Sequence, residues 1–581
     1  MLKLITQNAK GYIKSIILTP TLILIETIIG LILPSIMSNI VDIGVKNSDK
    51  GYILQCGVLM VVLTLVSAVC SFASAYHAAT ASNGVGSNLR VRMFHHMQKF
   101  SFADVDRFSA ASLITRTTSD VRSLQMAVQM GLRVLFQAPC QLIVALVIVF
   151  CYSWKLAIIY LVAIPVLLGF IAVLQGVVHH LFMLVQEKLD DLNSTIQENL
   201  IAIRVVKSFV RGDYERKKFA KANDNLIKAN IRAVSKIILM NPVTTVIINV
   251  VAILIYWFGG RMVGYGTLLE GELLAIITYM AQIMGSILMF SMVMMQYTRS
   301  QACATRIQEV LDAVPDIQEK ENPVSVATDE RRGEVEFRGV SFKYSATGTG
   351  EKVLHDISFK AEPGETVAVI GGTGSGKSSL VNLIPRFYDV MDGQVLVDGV
   401  DVRDYDIENL RDHIGMVLQK NLLFSGSIRE NMRWGKEDAT DEEIWAALRC
   451  AQAEDFVRAM PNGLDTDILQ GGVNVSGGQK QRLCIARAII KHPSILIMDD
   501  STSAVDSDTE SRIRGSFDAE LGRCTVFIIA QRISSVVSAD KIIVLDEGGI
   551  EAIGTHAELM KNSPVYQEIY YSQQEGVLGN A

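Results

Sequence analysis

Gly371-Gly372-Thr373-Gly374-Ser375-Gly376-Lys377-Ser378 decides how this 581-residue chain is read. The apolar run Thr366 to Ile370 precedes it and reads as a buried strand, and Leu380 to Leu383 comes after it as the opening of a helix. Strand, glycine loop, Lys-Ser and helix together make a phosphate-binding loop. The glycines let the backbone curl until its N–H groups face a polyphosphate, and the helix start adds a positive end. Lys377 neutralises terminal phosphate charge, the Ser378 hydroxyl can ligate Mg²⁺, and Ser379 closes the candidate nucleotide-binding set.

Outward from this loop, the composition is uneven. Half the residues are hydrophobic and the mean hydropathy is +0.30, too much apolar surface for a single soluble core of this length. The excess lies before about Met295, in runs long enough to cross a bilayer. After Pro323 the chain alternates charged, glycine-rich and short apolar segments, as a soluble α/β domain does. A net charge of −6 points to no nucleic-acid partner. Cys56, Cys70, Cys140, Cys151, Cys303, Cys450, Cys484 and Cys524 are scattered without metal-ligand spacing and read as small buried hydrophobes.

Six apolar segments are predicted as membrane helices: Ile16–Ile40, Ile53–Ala78, Val134–Tyr152, Leu156–Leu181, Val243–Phe258 and Leu273–Met295. Lys3, Lys10 and Lys14 precede the first, which is longer than a signal-peptide core and reads as an uncleaved membrane helix. Two gaps, roughly 82–132 and 185–236, are long and charged. The first carries Arg90, Arg92, Lys99, Arg107, Arg116 and Arg122, and the second Arg204, Lys207, Arg211, Arg216, Lys217 and Lys218. The opposite connections hold few cations, so both termini and both gaps are expected in the cytoplasm. Each gap reads as helices continuing below the membrane, broken by a short turn near Phe102–Ser112 and near Phe209–Tyr214. Those two elbows can touch a cytoplasmic domain. Glu26 interrupts an apolar helix; it either meets a cationic substrate or bonds a neighbouring helix. Met280, Met284, Met289, Met292, Met294 and Met295 crowd the last helix, suited to adaptable apolar binding or to plain packing.

Further candidates come after the linker region in a fixed order. Tyr344 can place a flat ring against a base. Gln419, after the run Ile414–Leu418, can reach a metal with its amide oxygen. Ser476-Gly477-Gly478-Gln479 opens a helix and forms a second anion cradle, placed to serve another chain's nucleotide. Ile495 to Met498 then deliver Asp499 to hydrated Mg²⁺. Asp500, the segment Ser503-Ala504-Val505-Asp506, and Gln531 at the end of Val526–Ala530 complete the series.

In that order these motifs resemble an ATP-binding cassette exporter half-transporter of the type IV kind, over nearly the whole chain. The resemblance implies an all-α six-helix transmembrane domain (1–315) with cytoplasmic helical extensions, a linker (316–332) and an α/β P-loop nucleotide-binding domain (333–581). It implies ATP and Mg²⁺ as cofactors. Tyr344 matches the adenine-stacking aromatic, Gln419 the metal-sensing glutamine, Val475–Gln479 the signature, Asp499 the metal-side aspartate, and Ser503–Asp506 the loop at the dimer interface. It implies a partner: two halves sandwich each ATP between one chain's phosphate loop and the other's signature. The elbows become coupling helices.

Three positions depart from the family pattern. The residue after the metal-side aspartate is usually glutamate, the presumed base, and here it is Asp500. One methylene shorter, its carboxylate stops roughly 1–1.5 Å short of the attacking water, and such misplacement costs about a hundredfold in rate. Gln531 stands where histidine is usual; an amide donates a hydrogen bond but neither carries charge nor shuttles a proton. Gln470 stands where a glutamate usually precedes the signature. ATP binding is expected to survive while hydrolysis at this chain's own loop is slow. The intact signature then completes the catalytic site of a different half-transporter, as in asymmetric heterodimeric exporters, many of them bacterial multidrug exporters. The expected location is the cell (plasma) membrane, as a multi-pass protein and in a bacterium its inner membrane, and the expected cargo is amphiphilic or apolar, drug or lipid. The alternatives are a homodimeric lipid flippase and a nucleotide-gated regulatory or channel subunit.

Overall fold

The computed structural model describes residues 1–327, 330–344, 352–500 and 507–578. The chain divides into two compact units, Met1–Met97 with Ala111–Ala313, and Gln98–Ala110 with Val314–Ala581.

The first unit is helical. Among the described residues, six helical stretches are long and apolar enough to cross a membrane. They are Ile13–Asn39 with a π-helical continuation Ile40–Val45, Lys50–Met97, Val121–Tyr152 with the turns before it, Trp154–Ile201, Met240–Gly264 continuing Gly212–Ile238, and Glu270–Asp312. The 48 residues of Lys50–Met97 make a rod of about 70 Å, more than twice the ~30 Å hydrocarbon core of a bilayer. The charged gaps are therefore helical extensions, as their lack of proline suggested. Exposed Leu65, Val69 and Phe72 line the outside of that helix; in lipid such a surface costs nothing, because acyl chains are as apolar as these side chains. Polar side chains inside the bundle bind backbone: Tyr160 Oη donates to Ile276 O at 2.8 Å and Tyr279 Oη to Leu31 O at 2.6 Å. The methionines divide. Met280 and Met284 are buried in the bundle core, whereas Met289 and Met292 are exposed. Glu26 is half-buried.

Both elbows form where the sequence breaks. Ser101 and Asp104 build a reciprocal cap that opens the helix Phe102–Phe108, and Ser109, at φ +60°, ends it. The second elbow turns at Val210, at φ +52°, between Ile203–Ser208 and Gly212–Ile238. The first packs as part of the second unit. The Phe102 ring lies 4.7 Å from Phe387 and 6.2 Å from Tyr388, and the Asp104 carboxylate accepts from the Asp316 N–H at 3.1 Å.

The second unit is built on a six-stranded sheet. Its parallel part runs, side by side, Ile414–Val417, Ile495–Asp499, Thr525–Ile529, Thr366–Gly371 and Lys541–Asp546, with Gly549–Gly554 antiparallel at one edge. Alternation with period two sends Val367, Val369, Ile497 and Phe527 into one core and Ala368, Ile370, Leu496 and Ile528 into another. Burial on both faces explains the unbroken apolar runs. A smaller antiparallel sheet pairs Val335–Phe342 with Leu354–Ala361 and Asp392–Val397. The polar stretch expected as a linker is laid along this unit: Val324 N–H donates to Asp404 O at 2.8 Å and Asp406 N–H to Val324 O at 2.9 Å.

In the first unit, the Arg306 guanidinium grips buried Asp120 through both carboxylate oxygens, at 2.8 and 2.6 Å. Two charge-assisted bonds to a buried acceptor contribute more than an exposed pair does. Arg306→Ala is expected to destabilise this unit by about 1.5–3 kcal/mol, read as a lower melting temperature in detergent. Lys228→Ala, which removes an exposed pair with Asp224, should change it by less than about 0.5 kcal/mol.

Candidate functional site

In a parallel sheet the carboxyl ends of neighbouring strands share one edge, and ligands bind in the crevice outside it. Four strands deliver the candidates to that edge. Thr366–Gly371 runs into the glycine loop, Ile495–Asp499 ends on Asp499 and leads into Asp500, and Gln531 stands just beyond Thr525–Ile529, with Gln419 just beyond Ile414–Val417. They meet around a cavity of about 240 Å³ lined by Thr373, Gly374, Gly376, Lys377, Ser378, Ser379, Gln419, Asp499, Asp500 and Gln531.

Glycine is required in two places by different constraints. A Cβ on Gly371 would run into the Leu545 carbonyl oxygen. Gly376 sits at φ +93°, and a Cβ there would lie 2.7 Å from Leu354 Cδ2. A side chain at either position breaks the curl of the loop. The helix after the loop is short, Lys377–Asn382, and closes before the run Leu380–Leu383 expected to open it is complete. Inside the loop, Lys377 Nζ donates to Gly371 O at 2.9 Å and Gly372 O at 2.6 Å. The ammonium is thus held over the curl, where a phosphate chain can replace those carbonyls. The buried Ser375 Oγ has no hydrogen-bond partner among the described residues.

Burial sets the electrostatics. It pushes the Lys377 ammonium below its ordinary range, against the pull of the Asp500 and Asp499 carboxylates. It pushes the Asp499 carboxyl up, with Asp500 adding repulsion and the Ser378 bond and Lys377 opposing. Each group is disfavoured as a lone charge and favoured beside an opposite one. Ser378 Oγ donates to Asp499 Oδ1 at 2.9 Å. With the Gln419 amide on the same cavity wall, these are the hard oxygen donors that suit Mg²⁺.

Two of the three departures from the family pattern, Asp500 and Gln531, are bonded to each other. Gln531 Nε2 donates to Asp500 Oδ2 at 3.0 Å. Asp500 is itself held at φ +46°, with its N–H on Ile529 O at 3.0 Å. A non-glycine residue at positive φ is uncommon and clusters at functional sites.

The other candidates are dispersed. Tyr344 does not line the cavity. Its hydroxyl shares a 2.8 Å hydrogen bond with Ser379 Oγ, and its ring stands edge-on to Phe342 and Tyr388. The Ser476–Gln479 cradle lies away from it: Ser476 caps the helix Gly477–Ile489, its Oγ accepting from Gln479 N–H while Gln479 Oε1 accepts from Ser476 N–H. Ser476 and Gly477 are exposed and Gly478 half-exposed. Ser503–Asp506, including the candidate Asp506, lies outside the described residues. Sequence reasoning missed the contact of Tyr388 with both Phe102 and Tyr344, and the contact of Gln573 with the backbone around Gln531. A polar residue in the stripe Tyr566, Ile569, Tyr570 was the available signal for the latter.

Family models match two parts of the chain, "ABC transporter transmembrane region" over residues 16–287 and "ABC transporter" over residues 354–503. An uncharacterized ABC transporter ATP-binding protein of Mycobacterium tuberculosis is 39% identical over 580 residues, 99% of this chain and 98% of the relative. A putative multidrug export ATP-binding/permease protein of Bacillus subtilis is 32% identical over 99% of each chain. An ATP-dependent lipid A-core flippase of Desulfotalea psychrophila is 34% identical over 84% of each. The solved structure of a bacterial Atm1-family ABC exporter superimposes with a TM-score of 0.79 over 98% of each chain at 24% identity, a likeness of fold.

The loop geometry separates two neighbouring glycines. Gly372 has open space where a Cβ would go. Gly372→Ala is expected to bind a fluorescent ATP analogue within about threefold of the parent, whereas Gly376→Ala should lose at least about tenfold.

Proposed function

We propose that this chain, which belongs to the ABC exporters that fuse a transmembrane region to a nucleotide-binding domain, is the low-turnover half of a two-chain exporter. ABC exporters work as dimers and hydrolyse ATP, and two different halves need not contribute equally. The observation that carries the proposal is the 3.0 Å bond from Gln531 Nε2 to Asp500 Oδ2. The residue placed to act as base is short and occupied, and the residue that occupies it cannot accept and pass on a proton.

The residues divide the work accordingly. Gly371 to Ser379 cradle the ATP phosphates, Lys377 releases the loop carbonyls to pair with terminal phosphate, and Tyr344 offers its ring to the base. Ser378, Gln419 and Asp499 would hold Mg²⁺, which would supply neutralisation of phosphate charge. Asp500 and Gln531 leave the attacking water poorly activated. ATP stays and acts as a clamp between the cassettes. Ser476, Gly477, Gly478 and Gln479 reach the other way, to complete a site on the partner's phosphate loop where turnover occurs, with Asp506 at the shared interface. The elbow at Phe102 passes cassette closure to the membrane helices.

Residues 1–315 are the membrane domain, 316–332 the linker and 333–581 the cassette in this reading. Cation-rich extensions support cytoplasmic termini, and the bacterial relatives support the cell membrane, in bacteria the inner membrane, as the location. The exposed methionines of the last helix and the multidrug-named relative support an amphiphilic or hydrophobic cargo. The flippase-named relative supports a second reading, a homodimer that moves lipid, in which the lone chain must hydrolyse ATP.

ATPase assays separate the two. The chain purified alone should be nearly silent and the pair active. Asp500→Glu combined with Gln531→His should raise this chain's own turnover by about a hundredfold. Hydrolysis by the lone chain at an ordinary exporter rate would overturn the proposal in favour of the homodimer.

A further inference from the structure

The C-terminal helix Pro564–Leu578 is anchored at its start. Tyr566 is fully buried and its hydroxyl bonds His556 Nδ1 at 2.8 Å, while Gln567 Nε2 donates to Met560 O at 2.9 Å. Ile569 and Tyr570 continue the packing against the core. Positions i, i+3, i+4 and i+7 share one helix face, so Gln573 comes next on the buried stripe, where an apolar residue belongs. It is polar because of what it meets. Its Oε1 accepts from Ile533 N–H at 2.9 Å and its Nε2 donates to Gln531 O at 2.7 Å. One amide therefore closes a two-bond bracket across the backbone of residues 531–533. Gln531 is the residue whose own amide holds Asp500.

We infer that Gln573 is a positioning residue for the nucleotide site: it fixes the backbone of Gln531 so that the Gln531 amide stays on Asp500 at the cavity rim. The C-terminal helix thereby has a direct mechanical hold on the ATP site. An exposed residue just past a strand needs such a tie to stay within hydrogen-bond reach of the neighbouring strand end. The anchor at Tyr566 makes the helix a fixed support rather than a passenger.

The inference rests on the proposed ATP site but not on its being slow, so its test uses a nucleotide that cannot be hydrolysed. Release of fluorescent mant-AMPPNP with Mg²⁺ is timed from the purified full chain. The variants are Gln573→Ala, Gln573→Glu, Gln531→Ala and the doubles. Glutamate keeps the acceptor for Ile533 N–H and loses the donor to Gln531 O. Gln573→Ala should speed release about fivefold, with Gln573→Glu between it and the parent. Added to Gln531→Ala, either Gln573 substitution should change nothing further, because the residue it acts through is gone. Additive effects would overturn the inference and leave Gln573 a structural tie only. So would an unchanged rate in Gln573→Ala, or an effect of Gln573→Ala where Gln531→Ala has none. If the alanine variant fails to fold, Gln573→Glu carries the same cycle. A normal ATPase rate from the lone chain would sink the low-turnover reading and leave this cycle untouched.

Discussion

The parallel pairing of Thr366–Gly371, Thr525–Ile529 and Ile495–Asp499 is the constraint on which the nucleotide unit depends. Register sets Ile529 opposite both Val369 and Asp499, so three chain segments reach the same edge at the same height. The residues just past each strand end then face one crevice: a glycine curl, a glutamine, a carboxylate pair. Parallel strands are stable only when covered on both faces, and the two cores on either side supply that cover. Chemistry at the edge is made possible by packing in the middle.

At that edge each charged group is held by a neighbour. Lys377 rests on loop carbonyls and Ser378 on Asp499, both in positions that a phosphate chain and a divalent ion can take over. Asp500 has no comparable freedom. Its backbone is held at positive φ and its carboxylate accepts from Gln531. The bracket from Gln573 fixes the donor in turn. The elbow at Phe102 joins the same unit through Tyr388, which also meets Tyr344.

Much of this was legible in the chain. Ile495 to Met498 reads as a buried strand, and the glycine spacing before Lys377 reads as a curl. The six apolar runs were visible because a bilayer demands length and composition, which sequence shows directly. The extension of Lys50–Met97 beyond the apolar Ile53–Ala78 is legible in another way, as a charged, amphipathic, proline-free gap that reads as continuing helix. Side-chain contacts were not legible. That Asp500 and Gln531 both depart from the family pattern could be read, but not that they bond, since 31 residues and a strand crossing separate them. Nor is the tie of the Tyr344 hydroxyl to Ser379 legible, 35 residues along the chain. Gln573 stood out of its apolar stripe, yet only the fold shows which backbone it meets.

The central claim is that ATP stays intact on this chain's phosphate loop while the partner's loop turns over. The direct test is to incubate the assembled pair with Mg²⁺ and ATP, strip free nucleotide rapidly, and identify what remains bound after acid release. The expected result is retained ATP, about one per pair, that disappears in Lys377→Ala and persists when the partner's catalytic glutamate is intact. Recovery of ADP alone from the Lys377-dependent site would contradict it.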